Sequence, residues 1–185
     1  SNIILLELSI KQAGLSASNS LLYAKGCGDI YLYSESNSIV RVENSRVVLI
    51  RVENSMARIR QCDISLARGY FVCYGATVEI SDCNITDTSS SDYKPTDNTI
   101  HIKNNRIETF NTWTFITPLR SSLFFEGNIV KNVSDEYTYS PVGIYQYNYA
   151  IVRKNIFIGY QEAIDIGYDN VAIIYNNTFY NNKCG

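Results

Sequence analysis

Glu162, Asp165 and Asp169 place three carboxylates within eight residues. Two carboxylates facing one bond can act as acid and base in glycosidic cleavage, and clustered acidic oxygens can hold Ca²⁺ for the elimination of a uronic acid. Both reactions need a second charged group brought in by the fold; a solvated, turn-rich edge would carry the same residues with no such role. Trp113, Tyr145, Tyr147 and Tyr168, with Tyr74 and Tyr160 nearby, are flat side chains able to stack on the apolar face of a sugar. With 15 tyrosines in 185 residues, a row of this kind also arises from packing alone. His101 is the only histidine. Its ordinary pKa near neutrality suits a catalytic base, and its setting in IHIK suits a surface strand.

What must position these groups is a short motif repeated six times between Ala57 and Phe179: ARIRQCDI, VEISDCNI, IHIKNNRI, LFFEGNIV, AIVRKNIF and AIIYNNTF. The sixth position of each copy is Cys62, Cys83, Asn105, Asn128, Asn155 or Asn177, at steps of 21, 22, 23, 27 and 22 residues. A period in this range marks a solenoid, whose units bury their apolar side only by stacking. Ala57, Val78, Ile100, Leu123, Ala150 and Ala172 fill one column. Ile59, Ile80, Ile102, Phe125, Val152 and Ile174 fill a second, two residues on, which is strand spacing. A third column, Ile64, Ile85, Ile107, Val130, Phe157 and Phe179, follows after five residues, so the chain bends between them at the Asn or Cys. Asn tolerates turn conformations, and its amide can pair with buried backbone that would otherwise be orphaned. Stacked about 4.8 Å apart, such amides form a ladder.

With these columns and this ladder the chain resembles the right-handed parallel β-helix, or pectate-lyase-like, superfamily over residues 57–179. The resemblance implies an all-β, right-handed parallel β-helix solenoid of about seven or eight coils of roughly 22 residues. It implies little about activity, because the superfamily's enzyme motifs are missing. There are no adjacent aspartates with Gly-His-Gly and Arg-x-Lys as in polygalacturonases. Of the alginate epimerase Tyr-Gly-x-Asp-Pro-His only Tyr74 and Gly75 are present, and of the pectate lyase arginine motif at best Pro118 and Arg120. No catalytic residue carries over.

Residues 1–185 read as one domain. A net charge of −2, with no basic cluster interleaved with aromatics, gives no reason to expect nucleic acid. No apolar run approaches the roughly 20 residues of a membrane span. Five cysteines is an odd count. Cys62, Cys83 and Cys73 read as small buried thiols, with a Cys62 to Cys83 bridge as the alternative. Zinc-type spacing is absent, and no cofactor is expected beyond Ca²⁺ if the chain were a lyase.

Residues 1–18 suggest either a first strand or a short covering helix that caps the stack. Residues 87–98 and 133–141 are polar and read as loop insertions. The second strand of the later coils is read in GYFVCYG, WTFI, GIYQY and AIDIG. No covering helix follows the last copy, which points to a larger parent chain or a covering subunit. The outward column Arg58, Glu79, His101, Phe124, Ile151, Ile173 turns from charged to apolar. Phe124, Ile151 and Ile173 are therefore expected to form an interface, covered by the 133–141 insertion or by a neighbouring chain in a homo-oligomer. The functional expectation is an extracellular protein, at a cell or virion surface, that binds or processes an extended polysaccharide along the face bearing Trp113, Tyr145 and Asp165. The alternative is a non-catalytic structural or adhesin solenoid.

Overall fold

The structure, a computed structural model, describes residues 2–7, 12–66, 71–87, 95–110, 114–134 and 138–184, with side chains from Gly14 onward. Trp113 lies outside the described residues, as do 88–94 of the first insertion and 135–137 of the second. The described residues are all-β, without helix, and every strand pair is parallel.

A nine-stranded sheet contains Asn2–Glu7, Ser20–Lys25, Ile39–Glu43, Met56–Arg60, Thr77–Ser81, Thr99–Lys103, Ser122–Glu126, Tyr149–Arg153 and Val171–Tyr175. A second sheet takes the strand that follows each of these, from Gln12–Ser18 to Thr178–Tyr180. The chain thus visits two sheets alternately and pairs with itself one repeat away, which is compatible with a β-helix. Residues 2–7 and 12–18 are strands in register with the next rung, Asn2 opposite Ser20 and Gln12 opposite Asp29. They form a rung and not the covering helix that was the other expectation for this segment.

The three sequence columns are columns of strand partners. Ala57, Val78, Ile100, Leu123, Ala150 and Ala172 lie opposite one another in turn, and so do the residues of the second column. The third column holds in the other sheet, from Ile64 to Phe179. Val78, Ile100, Ile102, Leu123, Phe125 and Val152 have no exposed surface. Burying each such Val, Ile, Leu or Phe is worth about 1.5–3 kcal/mol, and no single rung collects enough of it to stand alone.

Each described bend from the nine-stranded sheet to the second sheet follows one rule. A residue with positive φ, such as Gln61, Asp82, Asn104, Gly127, Lys154 or Asn176, reverses the chain, and the next residue turns its side chain inward. That inward residue accepts the N–H of its counterpart one rung earlier: Cys83 N–H to Asn105 Oδ1, Asn105 to Asn128 and Asn128 to Asn155, all at 2.9 Å, and Asn155 to Asn177 at 3.0 Å. Each amide Nδ2 donates to a strand carbonyl, as Asn128 does to Ile102 O at 2.9 Å. Cys62 and Cys83 occupy the same positions as free thiols, with Cys62 N–H reaching Cys83 Sγ at 3.4 Å.

A second ladder lies seven residues before the first, on the other side of the nine-stranded sheet. Ala76 N–H donates to Asn98 Oδ1, Asn98 to Ser121 Oγ, Ser121 to Asn148 Oδ1, and Asn148 to Asn170 Oδ1, at 2.9–3.0 Å. Two ladders therefore flank both ends of the strands Thr99–Lys103, Ser122–Glu126, Tyr149–Arg153 and Val171–Tyr175.

Rung length changes along the chain. The early ladder pairs Ser20–Ser38, Cys27–Ser45 and Ser38–Ser55 are 18, 18 and 17 residues apart, with long strands in the second sheet. Arg46–Glu53 then divides its partners, pairing Arg46 and Val47 with Asp63 and Ile64, and Ile50–Glu53 with Phe71–Tyr74. From there a short third side is added to each rung. It includes the bridges Tyr74 to Thr96 to Leu119 and the paired strands Val142–Ile144 and Ile164–Ile166. The segments read as a second strand are thus a third side, and in WTFI the described residues make a single bridge, Ile116 to Val142. Thr138 and Ser140, in the described part of the segment read as a loop insertion at 133–141, are buried in this side.

Candidate functional site

On the third side, Gly143 lies opposite Asp165 in the paired strands Val142–Ile144 and Ile164–Ile166. The Tyr145 ring packs flat against this ribbon. A Cβ on Gly143 would stand 2.6 Å from Tyr145 Cε2, and one on Gly167 would stand 2.5 Å from Cδ1. Only glycine at both positions admits the ring. From there Tyr145 Oη donates to Asp165 Oδ2, so the carboxylate is engaged by the tyrosine.

Tyr145, Gln146 and Tyr168, with Thr117, Pro118 and Leu119, line a groove of about 300 Å³. Gln146 Nε2 donates to Tyr168 Oη at 2.7 Å, fixing the outer wall. Tyr147 stands on the adjoining turn, 66% exposed, and its N–H donates to Asp169 O at 2.9 Å. Gln146 and Tyr147 both have positive φ, 59° and 60°. Two consecutive left-handed residues, neither of them glycine, cost free energy; the same pairing recurs at Ser36 and Asn37, with φ 54° and 59°, so it belongs to the turns of the stack.

The three acids do not surround one groove. Asp165 reaches it only through Tyr145. Glu162 bridges Cys184 in the next rung, Asp169 sits exposed on a turn with φ 57°, and neither lines the groove. Among the described residues no three His, Cys, Asp or Glu side chains gather to hold a metal ion, so the Ca²⁺ reading of this trio gains nothing from the fold. The structure brings together Tyr145, Tyr168 and Asp165 and leaves Tyr147 at the rim.

A second, larger groove of about 440 Å³ runs over the outer face of the nine-stranded sheet and holds His101. Its ring stacks on Phe124, centroids 4.5 Å apart and planes 5° from parallel. Burial lowers the pKa of His101, against the pull of the Glu79 charge. Arg58 Nε lies 3.3 Å from Glu79 Oε2, and Arg153 Nη2 lies 2.8 Å from Glu126 Oε2. The hydrogen bond from Arg153 holds the Glu126 carboxyl below its usual range.

Phe124, Ile151 and Ile173 are consecutive partners, the first two half-buried and Ile173 44% exposed. The described part of residues 133–141 pairs on the third side, Thr138 with Tyr160 and Pro141 O with the Ile116 N–H. It does not cross this strip, because its backbone is committed to the stack. The other sheet shows a matching outward pair, Ile129 and Ile156, 45% and 37% exposed.

Sequence reasoning missed the partnership of Tyr145 with its two glycines, whose only signal is Gly at both 143 and 167 around a tyrosine. It also missed the groove at His101, although Glu79, His101 and Phe124 were read as successive members of one outward column. Comparison of the chain with protein-family models, curated proteins and solved structures found no match.

Proposed function

We propose that the chain is a right-handed parallel β-helix of pectate-lyase-like type that binds an extended polysaccharide in the groove at Tyr145 and Tyr168. The observation that carries this reading is the Tyr145 ring, seated on Gly143 and Gly167 and tied to Asp165 beside an exposed Tyr168. Rigid aromatic surface next to the Gln146 amide suits a sugar, which offers an apolar face and a hydroxyl rim. The nine strands of the first sheet support nine coils in place of seven or eight, the early ones being shorter. Such a polymer is met outside the cell, at a cell or virion surface.

Binding is favoured over cleavage. Asp165 is engaged by Tyr145, and neither Glu162 nor Asp169 lines the groove to act as its partner. A glycan array combined with reducing-end and unsaturated-product assays tests this in one experiment. Binding without product, weakened on the order of tenfold by Tyr168→Ala, is the expected result. Product that disappears in Asp165→Asn would establish an enzyme instead, and binding untouched by Tyr168→Ala would remove the groove from the account.

A second reading, a structural or adhesin module, is favoured by the outward apolar residues Phe124, Ile151 and Ile173 on one sheet and Ile129 and Ile156 on the other. Sedimentation separates the two: a stable oligomer dissociated by Ile173→Asp supports the assembly role, and a monomer at high concentration opposes it.

A further inference from the structure

We infer that Cys62 and Cys83 form an oxidisable dithiol, a site at which hydrogen peroxide closes a disulfide between two adjacent rungs and a thiol reductant reopens it. This inference stands apart from the Tyr145 groove and does not rest on it. The strand partners on either side, Arg60 with Ser81 and Asp63 with Asn84, set the two cysteines opposite one another at consecutive bends. Both side chains turn inward, 2% and 3% exposed, and the Cys62 N–H points at Cys83 Sγ from 3.4 Å. One strand spacing, about 4.8 Å, lies inside the roughly 4.4–6.8 Å over which a disulfide joins two Cα atoms. Cys27 belongs to the same column, but Ser45 stands between it and Cys62, so it is two rungs away and out of reach. Cys73 pairs with Val52, outside this column.

Closing the bridge leaves no buried carbonyl orphaned. Each thiol donates to the carbonyl two residues before it, Cys62 Sγ to Arg60 O and Cys83 Sγ to Ser81 O, both at 3.1 Å. Those carbonyls keep a backbone donor once the S–H is gone, Asn44 N–H on Arg60 O and Gln61 N–H on Ser81 O, each at 3.2 Å. Parallel side chains start about one strand spacing apart at Cβ, above the roughly 3.5–4.5 Å that a relaxed disulfide prefers, so the bridge is readily reduced again. The bend residues just before the cysteines, Gln61 and Asp82, and just after, Asp63 and Asn84, are exposed. The pair therefore lies directly beneath the surface, shielded from bulky reagents and near enough for peroxide, which is little larger than water.

Of the two, Cys62 is the nucleophile. The hydrogen bond from the Cys83 thiol lowers the Cys62 pKa against its burial, and the same bond together with burial raises that of Cys83. The Cys62 thiolate attacks one oxygen of hydrogen peroxide: an S–O bond forms, the O–O bond breaks, and the leaving hydroxide takes up the proton that Cys62 gave up, becoming water. The Cys83 sulfur then attacks the Cys62 sulfenic acid. An S–S bond forms, the S–O bond breaks, and the departing hydroxide takes the Cys83 proton as a second water. The two sulfurs give up two electrons and the peroxide takes them.

The test uses the full chain carrying Cys184→Ser, which removes the exposed thiol, treated with dilute hydrogen peroxide in native buffer and digested for peptide mapping. Expected are a cross-linked peptide joining Cys62 to Cys83, the loss of two of the four thiols left, and their return with dithiothreitol. Adding Cys83→Ser is expected to stop the reaction at the Cys62 sulfenic acid, trapped by dimedone, and adding Cys62→Ser to slow oxidation of Cys83 on the order of tenfold or more. Serine already occupies this column at Ser45, so both variants keep the fold. No loss of thiol, a bridge from either cysteine to Cys27 or Cys73, oxidation of Cys62 past the sulfenic acid without a bridge, or a bridge formed only in denaturant would each overturn the proposal. Glycan binding and its loss in Tyr168→Ala are expected to be the same before and after oxidation, which keeps this site's failure distinct from that of the groove.

Discussion

Replacing Asn128 by alanine tests the ladder where it is best formed. Asn128 has no exposed surface; its Oδ1 accepts from Asn105 N at 2.9 Å and Asn105 Nδ2 at 3.0 Å, and its Nδ2 donates to Ile102 O and Asn155 Oδ1. After truncation, Asn105 Nδ2 keeps Ile80 O and Asn155 Oδ1 keeps the Asn128 N–H. The Asn105 N–H is left with nothing, in a buried site. One orphaned buried donor costs about 1–3 kcal/mol, and the lost partner bonds add to it, so Asn128→Ala should destabilise by about 3 kcal/mol. That is a large part of the roughly 5–15 kcal/mol of an ordinary domain. Asn128→Ser should cost about half as much, because Ser121 already shows a hydroxyl accepting the preceding rung's N–H at 3.0 Å. Urea midpoints followed by circular dichroism read both values, with the exposed Lys131→Ala as control. A loss below about 0.5 kcal/mol for Asn128→Ala, or serine as damaging as alanine, would refute the reasoning.

Further outcomes follow from the same geometry. Cys184 is exposed while Cys27, Cys62, Cys73 and Cys83 are buried, so a thiol reagent should titrate one cysteine rapidly in the native chain and all five in denaturant. Burial raises the Tyr160 pKa above its ordinary 10.0, so its folded form keeps the proton longer than the unfolded one. Its contribution is whole below about pH 10 and lost as pH rises further; Tyr160→Phe should flatten that alkaline fall while costing about 1 kcal/mol at neutral pH through the Thr109 hydroxyl. Gly167→Ala should displace the Tyr145 ring and weaken glycan binding on the order of tenfold or more with the circular dichroism unchanged. Tyr147→Gly, relieving a left-handed residue, should raise stability by about 1 kcal/mol and tests whether that exposed ring is kept for binding.

The parts of the fold legible in the sequence are those set by side-chain period. Ile80, Ile102 and Phe125, each two residues after another apolar side chain, can face only one way, and the bend three residues later favours a side chain that satisfies backbone, so the columns and the Asn ladder could be read directly. The second ladder escaped notice because Ser55, Ala76, Asn98 and Ser121 vary in chemistry while serving one position; the constant interval of seven to the first ladder was its signal. Cys27–Ser45 went unread because Ser and Cys replace Asn there and the rung is shorter. The third side carries little pattern, being made of single bridges and three-residue strands, so Tyr145 and Asp165 could be named as candidates but not joined. The closeness of Tyr145 to Gly143 and Gly167 is tertiary, and no local rule states it.

The most direct measurement is a nuclear Overhauser spectrum of a deuterated, amide-labelled chain. Stacked parallel rungs predict a continuous series of contacts through the slowly exchanging amides of Cys83, Asn105, Asn128 and Asn155, residues 22 to 27 apart in sequence. Contacts confined to sequence neighbours, or an antiparallel pattern among Thr77–Ser81, Thr99–Lys103 and Ser122–Glu126, would contradict it.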